Sequence, residues 1–226
     1  MPTPLVSADR LMRLHPNRER RLLDAVSIAI RPGDRLAVAG PSGAGKTLLL
    51  RGLAMLDPFD AGEVRWKGQA IRHDAVPEYR RRVVYLHQRP ALMAETVEQA
   101  LRRPFSLRVH GEARFDQSRI EQWLDDLGRD RTFLDKPVRN LSGGEMQLVA
   151  LLRAIQLDPR VLLLDEPTAA LDPASSAAVE SLIDRWIEAD GDGRAIVWVS
   201  HDADQTGRIA HRMLYMNAGR LEHRSE

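Results

Sequence analysis

The stretch GPSGAGKTLLL, residues 40–50, follows the apolar run RLAVA at 35–39 and itself ends in three leucines. It matches the pattern G-x-x-x-x-G-K-[ST]. Glycines allow successive backbone N–H groups to turn around a phosphate without interference from a Cβ, and the N-terminus of a following helix adds partial positive charge. A strand, a glycine-rich loop and a helix in this order predict a phosphate-binding loop, formed by Gly40, Pro41, Ser42, Gly43, Ala44, Gly45, Lys46 and Thr47.

Two side chains of this loop have the chemistry that a nucleoside triphosphate requires. Lys46 is expected to reach the β- and γ-phosphates, and the Thr47 hydroxyl is expected to ligate Mg²⁺. The predicted cofactors are therefore ATP and Mg²⁺. The structural alternative is a glycine-rich turn between a strand and a helix that binds no ligand.

Composition and charge narrow the remaining classes of protein. The 226 residues include 33 basic and 32 acidic side chains, a near balance that argues against a surface dedicated to nucleic acid. Cysteine is absent, which excludes a disulfide framework and is typical of the cytosol. The N-terminal stretch lacks the apolar centre of a signal peptide, and no apolar run approaches the ~18 residues of a membrane helix. We expect a soluble chain whose membrane role requires a partner.

Strand and helix patterns predict an α/β domain. VSIAI at 26–30 alternates with period two and predicts an antiparallel β element. RVLLLDE at 160–166 and AIVWVS at 195–200 are continuous apolar runs, typical of a parallel sheet covered on both faces. Residues 91–139 carry helical patterns without a strong strand and predict a helical subdomain inserted into the catalytic core. The predicted organisation is one domain over residues 1–226.

Two carboxylates follow the first of these apolar runs. Asp165 and Glu166 come at the carboxyl end of a predicted buried strand, where open α/β sheets place ligand chemistry. Asp165 is expected to hold Mg²⁺ through water, and Glu166 to polarise the water that attacks ATP. The structural alternative is that both acids only cap the turn after the strand.

A second glycine cluster, LSGGE at 141–145, begins a predicted helix. Ser142 and Glu145 are three residues apart, which is a capping-box pattern. A capped helix does not need Gly143 and Gly144, which are poor in a first helical turn, so free N–H groups here suggest a second anion contact. Because the first loop already holds one ATP, this cluster is expected to contact the ATP of another copy in a nucleotide-sandwich dimer. The structural alternative is a well-capped helix.

Over essentially its whole length the chain resembles the ATP-binding subunits of ABC transporters. GPSGAGKT is similar to their Walker A loop, VLLLDE to their Walker B strand and LSGGE to their signature. The resemblance implies that Gln88 in YLHQ senses Mg²⁺ and the membrane partner, that Asp172 in AALD belongs to the D-loop, and that His201 in WVSH contacts the γ-phosphate. The structural alternatives are a solvent-facing loop residue, a helix N-cap and a strand-end histidine, respectively.

The resemblance also implies a fold, an activity and partners. The fold is the P-loop NTPase fold of ABC ATPases, with a mixed sheet core, an N-terminal antiparallel β element and an inserted helical subdomain. The activity is ATP hydrolysis that powers transport through a separate transmembrane permease, with a homodimer forming on ATP binding. Such a subunit lies at the cytoplasmic face of the inner (plasma) membrane, held there by its membrane partner, and binds no nucleic acid.

Several positions depart from the pattern of the family. Leu48 stands where relatives usually carry a second hydroxyl that contacts the α-phosphate, so one hydrogen bond to the nucleotide should be missing. His15 falls where the family usually stacks an aromatic side chain on adenine, and a histidine offers less area than a tyrosine. The alternative for His15 is a plain loop residue. Met146 and Leu148 follow the signature in a region where relatives carry basic residues.

The subgroup and two other classes of function complete the expectations. In its short length and its TVEQALRRPFSLR and RAIQLDPRVLLLDEPTAALD segments, the chain resembles a small bacterial group of metal (iron) exporters. One competing function is an ABC protein outside transport that acts on nucleic acid or a soluble complex, although such proteins usually carry fused cassettes, long inserts or basic tracts. The other is a phosphate-loop kinase of small molecules, which leaves LSGGE and His201 without a role.

Overall fold

The architecture comes from a computed structural model that describes residues 3–17, 19–111, 113–190 and 193–222. Its strands, in chain order, are β1 (Val6–Leu14), β2 (Arg21–Ile30), β3 (Arg35–Ala39), β4 (Ala61–Trp66), β5 (Gln69–Ala70), β6 (Val83–Leu86), β7 (Val161–Asp165), β8 (Ala195–Val199), β9 (Arg212–Asn217) and β10 (Arg220–Glu222). The α-helices are α1 (Lys46–Leu53), α2 (Val76–Arg82), α3 (Val97–Arg102), α4 (Gln117–Asp126), α5 (Gly143–Ile155), α6 (Pro173–Glu188) and α7 (Ala203–Ile209).

The central sheet has six strands in the order β10-β9-β3-β8-β7-β6. All neighbours from β9 to β6 pair in parallel, whereas β10 pairs with β9 antiparallel. Alternate residues of β7 enter different cores: Leu162 and Leu164 pack with α3–α6, and Val161 and Leu163 pack with α1 and the second sheet. We call these two clusters the helical core and the inter-sheet core. Burial on both faces explains the continuous apolar runs and confirms the predicted parallel arrangement.

The second sheet is antiparallel, with the order β2-β1-β4-β5. Val26, Ile28 and Ile30 of β2 are buried on one side and belong to the inter-sheet core. Their period-two spacing therefore has the meaning that the sequence pattern predicts. The mixed central sheet together with this N-terminal antiparallel sheet confirms the predicted fold class.

The inserted segment consists of helices and short turns over its described residues, 91–111 and 113–139. α3 and α4 are joined by 3-10 turns, and one isolated β-bridge connects Thr96 with Pro137. The apolar stripe of α4 is buried, as its spacing predicts, through Ile120, Trp123 and Leu124 and continues with Leu127 directly after the helix. These side chains share the helical core with α5 and α6. The segment is therefore held by packing against the elements of the catalytic core.

Several short elements are missing from the sequence-based expectations, among them β6 before Gln88 and α7 after His201. β6 has only four residues and is held by parallel pairing with β7, including Tyr85 opposite Leu163. α7 begins after Asp202, whose carboxylate accepts a hydrogen bond from the Gln205 N–H at 3.0 Å. Both elements depend on tertiary contacts more than on local periodicity. Across the described residues, no α-helix combines the length and the hydropathy that a membrane span needs.

Candidate ATP-binding and hydrolysis site

Four of the predicted motifs meet at one edge of the central sheet. β3, β8 and β7 are adjacent and parallel, so the loops that follow them leave the sheet on the same side. Loop 40–45 follows β3, Asp165 and Glu166 lie at the end of β7, and His201 follows β8. Gln88 follows β6, the neighbour of β7. Motifs that are far apart in the sequence therefore form one cluster.

Glycines in loop 40–45 serve both conformation and packing. Gly40, Gly43 and Gly45 have φ angles of 142°, 75° and 105°, which L side chains rarely adopt. A Cβ at Gly40 would lie 2.0 Å from the Met216 carbonyl oxygen, and one at Gly45 would lie 2.8 Å from the Leu22 carbonyl oxygen. A Cβ at Gly43 would have no described atom within 4 Å, apart from those of its chain neighbours. The exposed loop tip at Gly43 is therefore open to a phosphate.

Lys46 begins α1 directly after this loop and is buried. Its Nζ donates hydrogen bonds to the carbonyl oxygens of Gly40 at 2.7 Å and Pro41 at 3.0 Å. Burial lowers the pKa of Lys46, and the negative charges of Glu166 and Asp165 oppose that shift. The ammonium is thus held inside the loop and feels the charge of both carboxylates.

The side chains of Thr47 and Asp165 form the candidate Mg²⁺ site. Thr47 Oγ1 donates a hydrogen bond to Asp165 Oδ2 at 2.8 Å. Mg²⁺ takes oxygen ligands and usually uses one or two protein groups with phosphates and water. Among the residues that the structure describes, no cluster of three or more His, Cys, Asp or Glu side chains forms an all-protein metal site. A hydroxyl beside a carboxylate fits a cation that is shared with a nucleotide.

Tyr85 is a member of this site that the motif patterns do not indicate. Its hydroxyl donates a hydrogen bond to Asp165 Oδ2 at 2.8 Å, the same oxygen that Thr47 contacts. Burial, together with the adjacent carboxylate, raises the pKa of Tyr85, so the phenol stays protonated and remains a donor. Its position three residues before Gln88, in the short strand β6, is the only sequence signal for it.

The Glu166 carboxylate lies between the side chains of Gln88 and His201. Its Oε2 accepts a hydrogen bond from Gln88 Nε2 at 2.5 Å, and its Oε1 lies 2.7 Å from His201 Nε2. The backbone of Glu166 has a φ of 48°, which is uncommon for a residue other than glycine. Such conformations cluster at functional sites. The structure therefore brings together Glu166, predicted to polarise the attacking water, Gln88, predicted to sense Mg²⁺, and His201, predicted to contact the γ-phosphate.

Gln147, which the sequence patterns do not single out, contacts three segments of the site. Its Nε2 donates to the carbonyl oxygens of Gln88 at 3.0 Å and Glu166 at 3.2 Å. Its Oε1 accepts a hydrogen bond from the Ala170 N–H at 3.1 Å. The side chain is buried in α5, one turn before the buried Leu151. A polar residue on the apolar face of a helix is the signal that identifies it.

The LSGGE cluster forms the N-terminus of α5, as predicted. Ser142 Oγ accepts a hydrogen bond from the Glu145 N–H at 3.1 Å, and Glu145 Oε2 accepts one from the Ser142 N–H at 2.8 Å. This reciprocal pair is the expected capping box. The Lys136 ammonium lies 2.7 Å from Glu145 Oε1 and fixes the carboxylate further.

The two glycines of this cluster differ in whether packing requires a glycine at their position. A Cβ at Gly144 would lie 2.8 Å from the Ala170 carbonyl oxygen, so close packing of α5 on the loop after β7 requires a glycine there. The expectation that a capped helix does not need Gly144 is therefore wrong. Gly143 is exposed, and the nearest contact of a Cβ there would be 3.6 Å away, at Ala170 Cβ. Among the described residues, packing therefore requires a glycine at position 144 but not at position 143.

The signature and the D-loop aspartate lie apart from the phosphate loop of the same chain. Within the described parts of the chain, no hydrogen bond or ion pair joins residues 142–145 to residues 40–48. The Asp172 carboxylate accepts hydrogen bonds from the Ser175 N–H at 2.9 Å and the Ser175 hydroxyl at 2.7 Å. These bonds lower the pKa of Asp172 and cap α6. In this chain Asp172 is thus a helix N-cap, and its D-loop role stays a prediction.

His15 lies at the end of the β1–β2 hairpin nearest the phosphate loop. It is half-buried, and its Nδ1 lies 2.6 Å from Asn17 Oδ1. Two residues earlier, Arg13 pairs with Leu23, whose Cδ2 would be 3.2 Å from a Cβ at Gly45. This position is compatible with contact to adenine, which stays a prediction.

The three departures on helices are apolar residues that pack. Leu48, on α1, is partly buried against the inter-sheet core and offers no hydroxyl to a nucleotide. Leu148 is buried in the helical core, and Met146 packs against the same core. Leu148 is thus an apolar side chain among apolar neighbours, in a region where relatives carry basic residues.

Comparison with known proteins gives both a family and close relatives. The family model described as ABC transporter matches residues 23–169. The sulfate/thiosulfate import ATP-binding protein CysA of Bordetella parapertussis is 41% identical over 209 residues, which are 89% of this chain and 57% of that protein. The Fe(3+) ions import ATP-binding protein FbpC of Streptomyces avermitilis is 37% identical over 204 residues, with the same two coverages of 89% and 57%. The chain therefore spans a little over half the length of these curated relatives.

Solved structures agree with the fold. A dimeric, post-hydrolysis state of an ATP-binding cassette bound to ADP and Pi has a TM-score of 0.85 at 26% identity, covering 98% of each chain. A bacterial Atm1-family ABC exporter with ATP bound has a TM-score of 0.80 at 26% identity, covering 98% of this chain and 38% of that one. The family model matches more than half of this chain, and the same fold extends along nearly all of it. The chain therefore belongs to the ABC transporter family.

Proposed function

We propose that the chain is the ATP-binding and ATP-hydrolysing subunit of an ABC transporter that acts through a separate membrane-spanning protein. The observation that carries the proposal is the Glu166 carboxylate, held between Gln88 and His201. The same carboxylate and Asp165 act electrostatically on Lys46 at the phosphate loop. A phosphate-binding loop and a water-orienting carboxylate therefore share one site.

The chemistry divides among the residues of this site. Loop 40–45 and the N-terminus of α1 bind phosphate oxygens through backbone N–H groups, and Lys46 adds a positive charge. Glu166 accepts a hydrogen bond from the attacking water and takes its proton, while Gln88 and His201 hold the carboxylate in place.

Three residues are proposed to hold Mg²⁺: Thr47 and Asp165 by their adjacent oxygens, and Gln88 by its amide oxygen. The bound ion supplies positive charge to the phosphate oxygens. In the structure the Gln88 Nε2 donates to Glu166, so one side-chain amide serves both the carboxylate and the proposed cation.

The organisation and location follow the same reasoning. We infer one ATP-binding domain over residues 1–226, with residues 91–139 as its helical subdomain, at the cytoplasmic face of the inner membrane through its partner. The two curated relatives named above are import ATP-binding proteins, which supports a role in transport. The likeness to iron exporters stays a prediction.

A homodimer is proposed because the two anion-binding motifs do not meet within one chain. Ser142 and Gly143 are exposed at the start of α5, where a first helical turn leaves backbone N–H groups without an acceptor inside the helix. Two copies related by a two-fold axis would enclose two ATP molecules, each between Lys46 of one copy and Ser142 of the other. The cassette bound to ADP and Pi is itself dimeric, which supports this arrangement.

Dimerisation is expected to depend on ATP. In light scattering, the Glu166→Gln variant should be a dimer with Mg-ATP and a monomer with Mg-ADP or without nucleotide, because ADP lacks the γ-phosphate that bridges the copies. Ser142→Arg should abolish the dimer by placing bulk at the signature. Ser142→Ala is the matched control, since it removes the same helix cap, at a cost of about 1 kcal/mol, without added bulk.

Two results would contradict this dimer. One is equal dimerisation in all three nucleotide states, and the other is an ATP dimer that persists in Ser142→Arg. A monomer under every condition would instead favour a phosphate-loop kinase.

The membrane partner is proposed to dock in a groove between α2, the inserted segment and α5. The groove encloses about 470 Å³ and has an apolar floor that includes Val84, Leu86 and Ala150. None of its described lining residues is acidic. Four arginines line it: Arg80, Arg81, Arg103 and Arg153. Burial lowers the pKa of Arg153, and the charge of Arg103 adds to that shift. An amphipathic helix of the permease with acidic side chains fits this surface by charge and shape.

Charge reversal in the groove is expected to weaken the complex with the permease. Arg103→Glu should reduce the amount of permease that co-purifies by at least ~10-fold, because a repelling charge replaces an attracting one at the contact. Arg10→Glu, on the exposed face of the antiparallel sheet, is the matched control and should change nothing. ATP-dependent dimerisation should survive in both variants. Full recovery of permease with Arg103→Glu would place the partner elsewhere.

A further inference from the structure

We propose that Gln147 is a positioning residue for ATP hydrolysis, and this inference rests on the role proposed for Glu166. The Gln147 amide connects three segments that belong to different motifs: the loop at Gln88, the end of β7 at Glu166, and the loop at Ala170 that leads to the D-loop. One side chain on the signature helix α5 therefore sets the relative position of the attacking-water site and both neighbouring loops.

The geometry pairs both N–H groups and the carbonyl oxygen of one amide. Nε2 donates to the Gln88 and Glu166 carbonyl oxygens at 3.0 and 3.2 Å, and Oε1 accepts from the Ala170 N–H at 3.1 Å. Glutamine has two amide hydrogens and one carbonyl oxygen, so each end is paired. The side chain is 3% exposed, which makes any unpaired end costly.

The contacts act on the backbone that carries the carboxylate. The Glu166 carbonyl oxygen also accepts a hydrogen bond from the Ala169 N–H at 3.2 Å, in the tight turn where Glu166 has its positive φ. Gln147 reinforces this turn from outside. Among the described residues, no other acceptor for the Ala170 N–H is present. Removing the amide should therefore loosen the turn and the carboxylate together.

The position of Gln147 on α5 connects this turn to the signature. Gly144, one turn earlier, packs on the same Ala170 backbone, so α5 contacts the loop at two successive points. A helix is stiff over one turn, and a shift of the α5 N-terminus must change the Gln147 bonds. Closure of two copies around ATP would in this way be felt at Glu166.

Kinetic constants of matched variants test the proposal. Gln147→Met removes the amide at similar volume. Gln156→Met is the control, because Gln156 ends the same helix and its Nε2 donates to the Leu101 carbonyl oxygen at 2.7 Å, away from the site. We expect Gln147→Met to lower kcat by about 10- to 100-fold, the scale of a misplaced catalytic group, with the ATP Kd unchanged. Gln156→Met should keep both constants.

A double-mutant cycle separates positioning from general weakening of the fold. If Gln147 acts through the Glu166 carboxylate, Gln147→Met should cause no further loss of turnover in the Glu166→Gln background. A further loss as large as that in the wild-type background would overturn the proposal, as would a wild-type kcat in Gln147→Met. Equal losses in Gln147→Met and Gln156→Met, with equal drops in Tm, would overturn it as well.

Hydrogen exchange distinguishes failure of this inference from failure of the proposed function. Wild-type protein without ATPase activity would contradict the function, whereas the Ala170 amide reports on Gln147 in either case. We expect faster exchange of that amide in Gln147→Met and unchanged exchange in Gln156→Met. Unchanged exchange in both variants would show that the Gln147 amide does not hold this loop.

Discussion

ATP turnover by Glu166→Gln is expected to be at least ~10²-fold slower than that of the wild type, the scale of a lost general base. Glutamine keeps the shape of the side chain and an oxygen that can accept from Gln88 or His201, so the site should stay assembled. What the variant loses is the ability to take a proton from water. ATP binding should be retained, because the phosphate loop and Lys46 are unchanged. Steady-state phosphate release and equilibrium ATP binding check the two halves of this prediction.

A second carboxylate in a nearby cleft provides the control. Glu180 on α6 lines a cleft together with Glu166 and His201, and its carboxylate accepts a hydrogen bond from Gln205 Nε2 at 2.8 Å. Glu180→Gln should hydrolyse ATP at close to the wild-type rate. Normal turnover by Glu166→Gln combined with loss of turnover in Glu180→Gln would transfer the role of base to Glu180.

Binding of ATP, by contrast, is expected to collapse in Lys46→Ala. A hydrogen bond to a charged group contributes about 1.5–3 kcal/mol, which corresponds to roughly 10- to 100-fold in the dissociation constant. The buried ammonium is also the positive charge that the Asp165 and Glu166 carboxylates face, so its removal leaves them to repel the phosphates. Titration of the variant with a fluorescent ATP analogue measures the loss.

The matched control is another lysine with no contact to the loop. Lys67 is exposed, and its ammonium lies over the Trp66 ring at 5.8 Å from the centroid. Lys67→Ala should bind ATP as the wild type does. A thermal unfolding curve shows whether Lys46→Ala also loses stability, since the Gly40 and Pro41 carbonyls lose their donor. Unchanged ATP affinity in a folded Lys46→Ala variant would contradict the role of this loop in binding phosphate.

Local patterns predict the parts of the fold that depend on neighbouring residues. Glycine spacing predicts the loop at 40–45, because backbone conformation there admits few other residues. Continuous apolar runs predict β7 and β8, since burial on both faces leaves no polar side. The capping box at Ser142 is predicted because its two partners are three residues apart. Each of these features is encoded in a short run of neighbouring residues.

Short elements escape such patterns because their stability comes from elsewhere. β6 contributes four residues, and parallel pairing with β7 holds it. The Gly144 requirement is equally hidden, because the atom that excludes a Cβ belongs to Ala170, in a loop far along the chain. Propensity and periodicity cannot indicate a contact whose second partner they do not include.

The sequence by itself determined the family, the order of the motifs and the identity of the phosphate loop, because glycine, lysine and carboxylate positions carry that information locally. Only the tertiary structure decided which atoms meet. Thr47 and Asp165 are 118 residues apart and Gln147 and Gln88 are 59 apart, yet both pairs share hydrogen bonds. Those contacts are set by the register of the parallel strands and by the packing of α5 on the sheet. Both the register and the packing depend on the whole core.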